Sequence, residues 1–311
     1  MRLTCHFVTL VAVALCGVPV AAVAQSETIV VTGKAVSRDE AREASKQFVR
    51  GVSAIPVAGQ FARWRDAICP KTIGLSAANA AIVTDKIRKI ARDADVRVGK
   101  AKCKTNLLVI FTADGDRDIA DIKKRRLRQF AKLDPVERRL LNETDRPARW
   151  WYATGFEGAD GHAPGVPTAL LTAQVEVPGG VGLSGGINGS EDQQDISSYN
   201  SSLIGSRIRA KIEQAVIIID ANVASGRTLK SVAAYAAFVT LARIRMDGAA
   251  LADASILRLF SGDAAPPDDL TARDAAFLSA LYRAPANREA RYQSGAIATI
   301  MARLLVPDDR P

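Results

Sequence analysis

The sequence predicts an α/β (or α+β) fold: a partly parallel sheet flanked by helices, with one βαβ unit carrying a disulfide. Three observations predict it. Two continuous apolar runs of strand length, residues 106–112 and 215–220, are typical of strands buried on both faces. A helical stripe at Val83, Ile87 and Ile90 precedes the first run, so the order is strand, helix, strand. The composition supports a real core: 311 residues, 48% hydrophobic and 24% charged.

The chain opens on Met1-Arg2, an apolar run over 7–23, and Ala22-Val23-Ala24 before Gln25. A charged start, an apolar stretch and a small-x-small site in that order predict a signal peptide over 1–24, cleaved after Ala24, and a single globular domain over 25–311. The run contains Gly17 and Pro19 and falls short of the ~20 apolar residues of a spanning helix. Cys16 sits between Leu15 and Gly17, which is not the setting of a lipidated cysteine. The expected location is therefore periplasmic or secreted. Removal of residues 1–24 takes one Arg and no acid, so the formal charge of +9 becomes +8. The most apolar internal stretch, 231–242, lies between Lys230 and Arg243 and suits a buried helix, so no transmembrane segment is expected in the mature chain.

The elements follow in order. Residues 28–32 form a β-branched run ending at Gly33, and Ser37 with Glu40 has capping-box spacing at a helix start. Residues 61–69 alternate as a strand, 76–93 form the helix of the βαβ unit, and 106–112 its second strand. Of the four cysteines, Cys5 and Cys16 leave with the signal peptide, and an isolated pair in an oxidising compartment predicts the disulfide Cys69–Cys103. Cys69 would follow the first strand of the unit and Cys103 precede the second.

Residues 113–118 turn the chain into a helix running to about Leu133, with Ile119, Ile122, Leu127, Phe130 and Leu133 on one stripe. Strands are expected at 149–152 and 169–177, within or beside a Gly/Ser-rich loop region around 155–202. Residues 203–214 fit a helix and a strand equally. Gly226 and Thr228 mark a turn and an N-cap before an apolar helix over 229–244. Thr271 and Asp274 open a helix reaching Tyr282, and 288–305 forms the last one.

Chemistry is sparse. The mature chain keeps one histidine, His162, so the paired histidines of a zinc hydrolase are absent and no metal site is expected. Gly182, Ser184 and Gly186 match G-x-S-x-G, but the residues after them are a poor helix and the only His precedes the Ser. A flexible loop explains them better. Gly180, Gly182 and Gly185 form a lone G-x-G-x-x-G that opens no helix, so no dinucleotide or other cofactor is expected. Asp114, Asp116 and Asp118 resemble the start of a calcium loop, yet its twelfth position is Arg125, and helix capping accounts for these acids.

Charge is more telling. Residues 83–133 hold 15 Lys and Arg against 7 Asp, a net +8. A solvated helix face is the plain explanation. The sharper expectation is a binding face of Lys123, Lys124, Arg125, Arg126, Arg128 and Lys132 for an anionic envelope component: lipopolysaccharide, anionic lipid or acidic glycan. Nucleic acid is not expected, because no aromatics for base stacking interleave with these charges.

Residues 62–70 with Gly74 and Leu75, 103–112 with Asp114 and Asp116, 149–151, 217–220, 234–238, 255–260, and 270–274 with Leu281 and Tyr282 together resemble a group of exported bacterial proteins of unknown function. The strand, helix and turn order of the C-terminal third also resembles exported metallopeptidase-like families. That likeness implies a peptidase-like scaffold in which the helix over 229–244 takes the place of the zinc-binding helix, with Ala, Tyr, Phe and Val where ligands would sit. Residues 27–33 resemble the energy-coupling box of TonB-dependent receptors, but the alternating ~10-residue strands of such a barrel are missing. The expectation is thus an exported, non-catalytic envelope protein. The alternative is a cryptic hydrolase using Ser184, His162 and Asp220.

Overall fold

A computed structural model of the chain describes residues 36–54, 59–125, 133–158, 174–177, 181–184, 208–251 and 254–307. The strands among them are β1 (Arg63–Trp64), β2 (Pro70–Ile73), β3 (Leu107–Thr112), β4 (Ala148–Gly158), β5 (Gln174–Val177), β6 (Val181–Ser184) and β7 (Ile208–Asp220). The helices are α1 (Arg38–Val52), α2 (Ala77–Asp93), α3 (Gly115–Arg125), α4 (Pro135–Leu141), α5 (Leu229–Leu241), α6 (Ala272–Arg283) and α7 (Ala290–Leu305), with 3-10 turns at Gly248–Leu251 and Ile256–Phe260.

The sheet is mostly parallel and flanked by helices, as the sequence predicts. On one edge of β7, β1 lies beside Lys211 and Ile212, and β3 lies farther along beside 215–220, both parallel to it. β2 pairs parallel with β3 on the outside. On its other edge β7 pairs antiparallel with the whole of β4, with a register slip at Ala153/Thr154. The lower half of β7, which sequence leaves open between helix and strand, is therefore strand. β5 and β6 form a separate antiparallel pair.

β2, α2 and β3 are the expected βαβ unit, and the Cys69–Cys103 disulfide is present. Its first strand, however, starts after Cys69 and not before it. Residues 61–69 do not form one strand, because their backbone is claimed from outside any ladder. The Arg97 guanidinium donates to the Arg65 carbonyl. The Asn106 side chain donates to Ala67 O at 3.0 Å and accepts from Cys69 N at 2.6 Å. Ile68 bridges to Val98. β2 can begin at Pro70 because the first residue of an edge strand tolerates the missing N–H. It ends at Gly74, whose φ of +84° and close approach to the Phe111 carbonyl exclude a side chain; a Cβ there would lie 1.8 Å from that oxygen.

Local helix starts match the sequence closely. Ser37 and Glu40 exchange both bonds of a capping box, and so do Thr271 and Asp274. Val83, Ile87 and Ile90 of α2 are buried. α5 is buried from Ser231 to Leu241, apolar on every side. Its Phe238 packs on Phe277 of α6, which in turn meets Phe48 of α1.

The end of α5 has no glycine or basic cap, so its last carbonyls need other donors. Aromatic side chains supply them. Trp64 Nε1 donates to Thr240 O at 2.8 Å, Tyr282 to Leu241 O at 2.5 Å, and Tyr152 to Val239 O. Just beyond, Trp150 Nε1 reaches Ile244 O at 2.8 Å. Each aromatic buries an apolar body and spends its polar tip on an orphan carbonyl. Among the described residues no helix is long and apolar enough to cross a membrane.

Candidate anion-binding cleft

In open parallel sheets, ligands settle at the carboxyl ends of the strands. Here that region is organised by Asp220, the last residue of β7. Its carboxylate accepts from Gly115 N at 2.8 Å, Asn222 N at 2.9 Å and Val223 N at 3.1 Å. A strand-end acid thereby caps the first turn of α3 from across the fold. Gly115 allows this approach, since a Cβ there would meet Arg149 Nη1 at 2.9 Å and Asp220 Oδ2 at 3.3 Å. Burial raises the Asp220 pKa, but the three N–H groups and the Arg149 guanidinium outweigh it and hold the carboxyl below its usual value.

Arg149, near the start of β4, is the hub of this end and is only 2% exposed. It donates to Glu143 O at 2.6 and 3.2 Å and is ion-paired with Asp116. A buried guanidinium needs this many acceptors, and α3 together with the chain between α4 and β4 provides them.

Beside this network α3 and α4 enclose a cleft of roughly 390 Å³. From α3 come Asp116, Ile119, Ala120, Lys123 and Lys124, which share one face through i, i+3 and i+4 spacing. From α4 and the residues after it come Leu141, Asn142, Glu143 and Thr144. Ile119 and Leu141 make an apolar floor. The acids that line it are already engaged, Asp116 by Arg149 and Glu143 by Arg146 at 2.5 Å. Lys123 bonds to Asn142 Oδ1 at 3.0 Å, and Lys124 has no ion-pair partner among the described residues. The charge left facing the cleft is positive.

The expected basic face is therefore divided. Lys123 and Lys124 line the cleft, and Arg125 does not. Arg126, Arg128 and Lys132 lie outside the described residues, as do Leu127 and Phe130. Of the hydrolase candidates, His162 also lies outside them. Ser184 is the last residue of β6 in a two-stranded pair; its side chain and the residues after it lie outside those described. Asp220 is committed to backbone N–H groups. The strand expected at 28–32 is outside the described residues too, while 155–158 of the expected loop region belongs to β4.

Of the aspartates at 114–118, Asp114 caps as sequence suggests, and Asp116 forms an ion pair that sequence did not suggest. Asp114 Oδ1 accepts from Arg117 N at 2.9 Å, and Asp116 binds Arg149. Among the described residues no three His, Cys, Asp or Glu side chains are grouped to hold a metal ion. The helix α5, for which a zinc-helix counterpart is implied by resemblance, is buried from Ser231 to Leu241.

Sequence reading missed α4 and the role of Arg149. Asp134 followed by Pro135 is an N-cap with proline in the first turn and could have located α4. Nothing local marks Arg149, whose partners lie up to 33 residues away. Compared with known proteins, the chain matches no family model, no curated protein and no solved structure.

Proposed function

We propose that this is an exported envelope protein, cleaved after Ala24, which binds a small anionic amphiphile in the cleft between α3 and α4 without transforming it. The observation that carries the reading is a cleft with an apolar floor at Ile119 and Leu141, lysines 123 and 124 on its rim, and its own acids already paired. An apolar tail would lie on the floor and its acidic head between the lysines, where charge-assisted hydrogen bonds form. Lipid and glycolipid headgroups of the envelope have this chemistry. Export rests on the order of residues 1–25 and agrees with a disulfide, which persists in oxidising compartments.

Octyl phosphate, titrated calorimetrically, tests the cleft. Binding stronger than that of inorganic phosphate or octyl glucoside, and at least about tenfold weaker in Lys123→Gln/Lys124→Gln, is expected from the loss of two charged hydrogen bonds. Equal binding of all three compounds, or no effect of the double variant, overturns the reading. Export is tested by the intact mass of the expressed protein. A mature chain beginning at Gln25 in the periplasm or medium supports it, and an uncleaved cytoplasmic chain contradicts it.

A further inference from the structure

The disulfide holds a second basic surface, at the opposite end of the parallel strands from the cleft. Between α2 and β3 the chain carries Arg97, Lys100, Lys102 and Lys104 with no acid among residues 97–104. The three lysines are exposed and have no ion-pair partner among the described residues. The nearest acids in sequence are taken, Asp93 by Lys89 at 2.7 Å and Asp95 by Arg283 at 3.3 Å. Arg97, also exposed, donates its guanidinium to the Arg65 carbonyl.

The loop backbone is held at both ends and in its middle. Ile68 N donates to Arg97 O and Gly99 N to Ile68 O, both at 2.8 Å. Cys103 is bonded to Cys69, and Cys103 N closes a turn onto Lys100 O at 3.2 Å. Asn106 clamps both Ala67 and Cys69. Lys102 sits at a φ of +68°, a conformation that non-glycine residues rarely adopt. Three like charges two residues apart repel one another and do nothing for this fold.

We propose that this loop docks the protein on an anionic lipid surface. Charge complementarity carries the assignment, and the residue type selects the partner. Lysines are hydrated point charges suited to a smeared surface charge, whereas discrete phosphates or sulfates on a polymer are better gripped by the arginine fork. The one arginine of the loop, Arg97, is exposed, but its guanidinium is held on the Arg65 carbonyl. A fixed backbone presents all three charges at once with little further ordering. The proposal is independent of the cleft reading.

The full chain is sedimented with vesicles of phosphatidylcholine alone or with about one third phosphatidylglycerol, where each lysine near the surface is worth roughly a fivefold gain in partition. Wild type should prefer the anionic vesicles and release them as salt rises. Lys100→Gln/Lys102→Gln/Lys104→Gln should lose on the order of a hundredfold, and Lys102→Gln alone about fivefold. The α2 variant Lys86→Gln/Lys89→Gln, which removes two lysines outside the loop, should stay within about threefold of wild type. Equal partition to both vesicles, an unaffected triple variant, or tighter binding to a soluble sulfated glycan than to the vesicles overturns it.

Discussion

The two ends of the parallel strands are held by different chemistry. At the amino ends of β2 and β3, a covalent bridge and an asparagine clamp fix the chain, and Lys100, Lys102 and Lys104 are exposed there with no ion-pair partner among the described residues. At the carboxyl ends of β3 and β7, buried ions do the fixing: Asp220 caps α3, and Arg149 ties Asp116 to the Glu143 carbonyl. Reductant should therefore act on the amino end through the disulfide, and acid on the carboxyl end through Asp220. The contrast also shows why a net charge is a poor guide to a surface. On α2, Lys86, Arg88 and Lys89 pair with Asp269, Asp85 and Asp93, and only farther along does the same basic stretch become available.

Breaking the carboxyl end should have the largest effect. Arg149→Met leaves Asp116 and Glu143 O without their buried partner and should cost about 3–5 kcal/mol in urea unfolding. An unchanged midpoint would mean that Arg149 is not the hub. Removing the amino-end bridge with Cys69→Ser/Cys103→Ser releases a loop with a sequence separation of 34 and should cost about 3–4 kcal/mol. Reductant should lower wild-type stability by the same amount and leave the double serine variant unaffected.

Asp220→Asn keeps the shape and an acceptor but loses the charge, and should cost about 1–3 kcal/mol at neutral pH. Its pH dependence distinguishes the two ends. The folded Asp220 carboxyl lies below its ordinary value of 3.8, so its contribution is complete above that value and is lost as pH falls through the lower folded value. Wild type should therefore lose stability in acid more steeply than Asp220→Asn. Parallel acid limbs in urea titrations would remove Asp220 from the account. Smallest of all, Lys123→Gln/Lys124→Gln should change stability by less than about 0.5 kcal/mol while weakening octyl phosphate binding, because both side chains are exposed.

What sequence reveals about this molecule follows the reach of each interaction. The boxes at Ser37–Glu40 and Thr271–Asp274, the buried face of α2 and the apolar β3 were legible because each is settled by residues a few positions apart. The break in 61–69 was not, because the groups that claim its backbone come from Arg97, Val98 and Asn106. The basic face of α3 was legible as charge, and helical spacing would already have grouped Asp116, Ile119, Ala120, Lys123 and Lys124 apart from Arg125. The cleft itself was not, since its other wall is α4 and its acids are silenced by Arg146 and Arg149 from β4 and the turn before it.

The central claim is that the lysines left unpaired, not the basic stretch as a whole, meet anions. Reductive methylation with ¹³C keeps the lysine charge and makes each side chain visible by NMR. On titration with octyl phosphate, the signals of Lys123 and Lys124 should move and saturate together while those of Lys86 and Lys89 stay in place. Uniform small shifts across all lysines, or saturation at Lys86 and Lys89 first, would contradict the account.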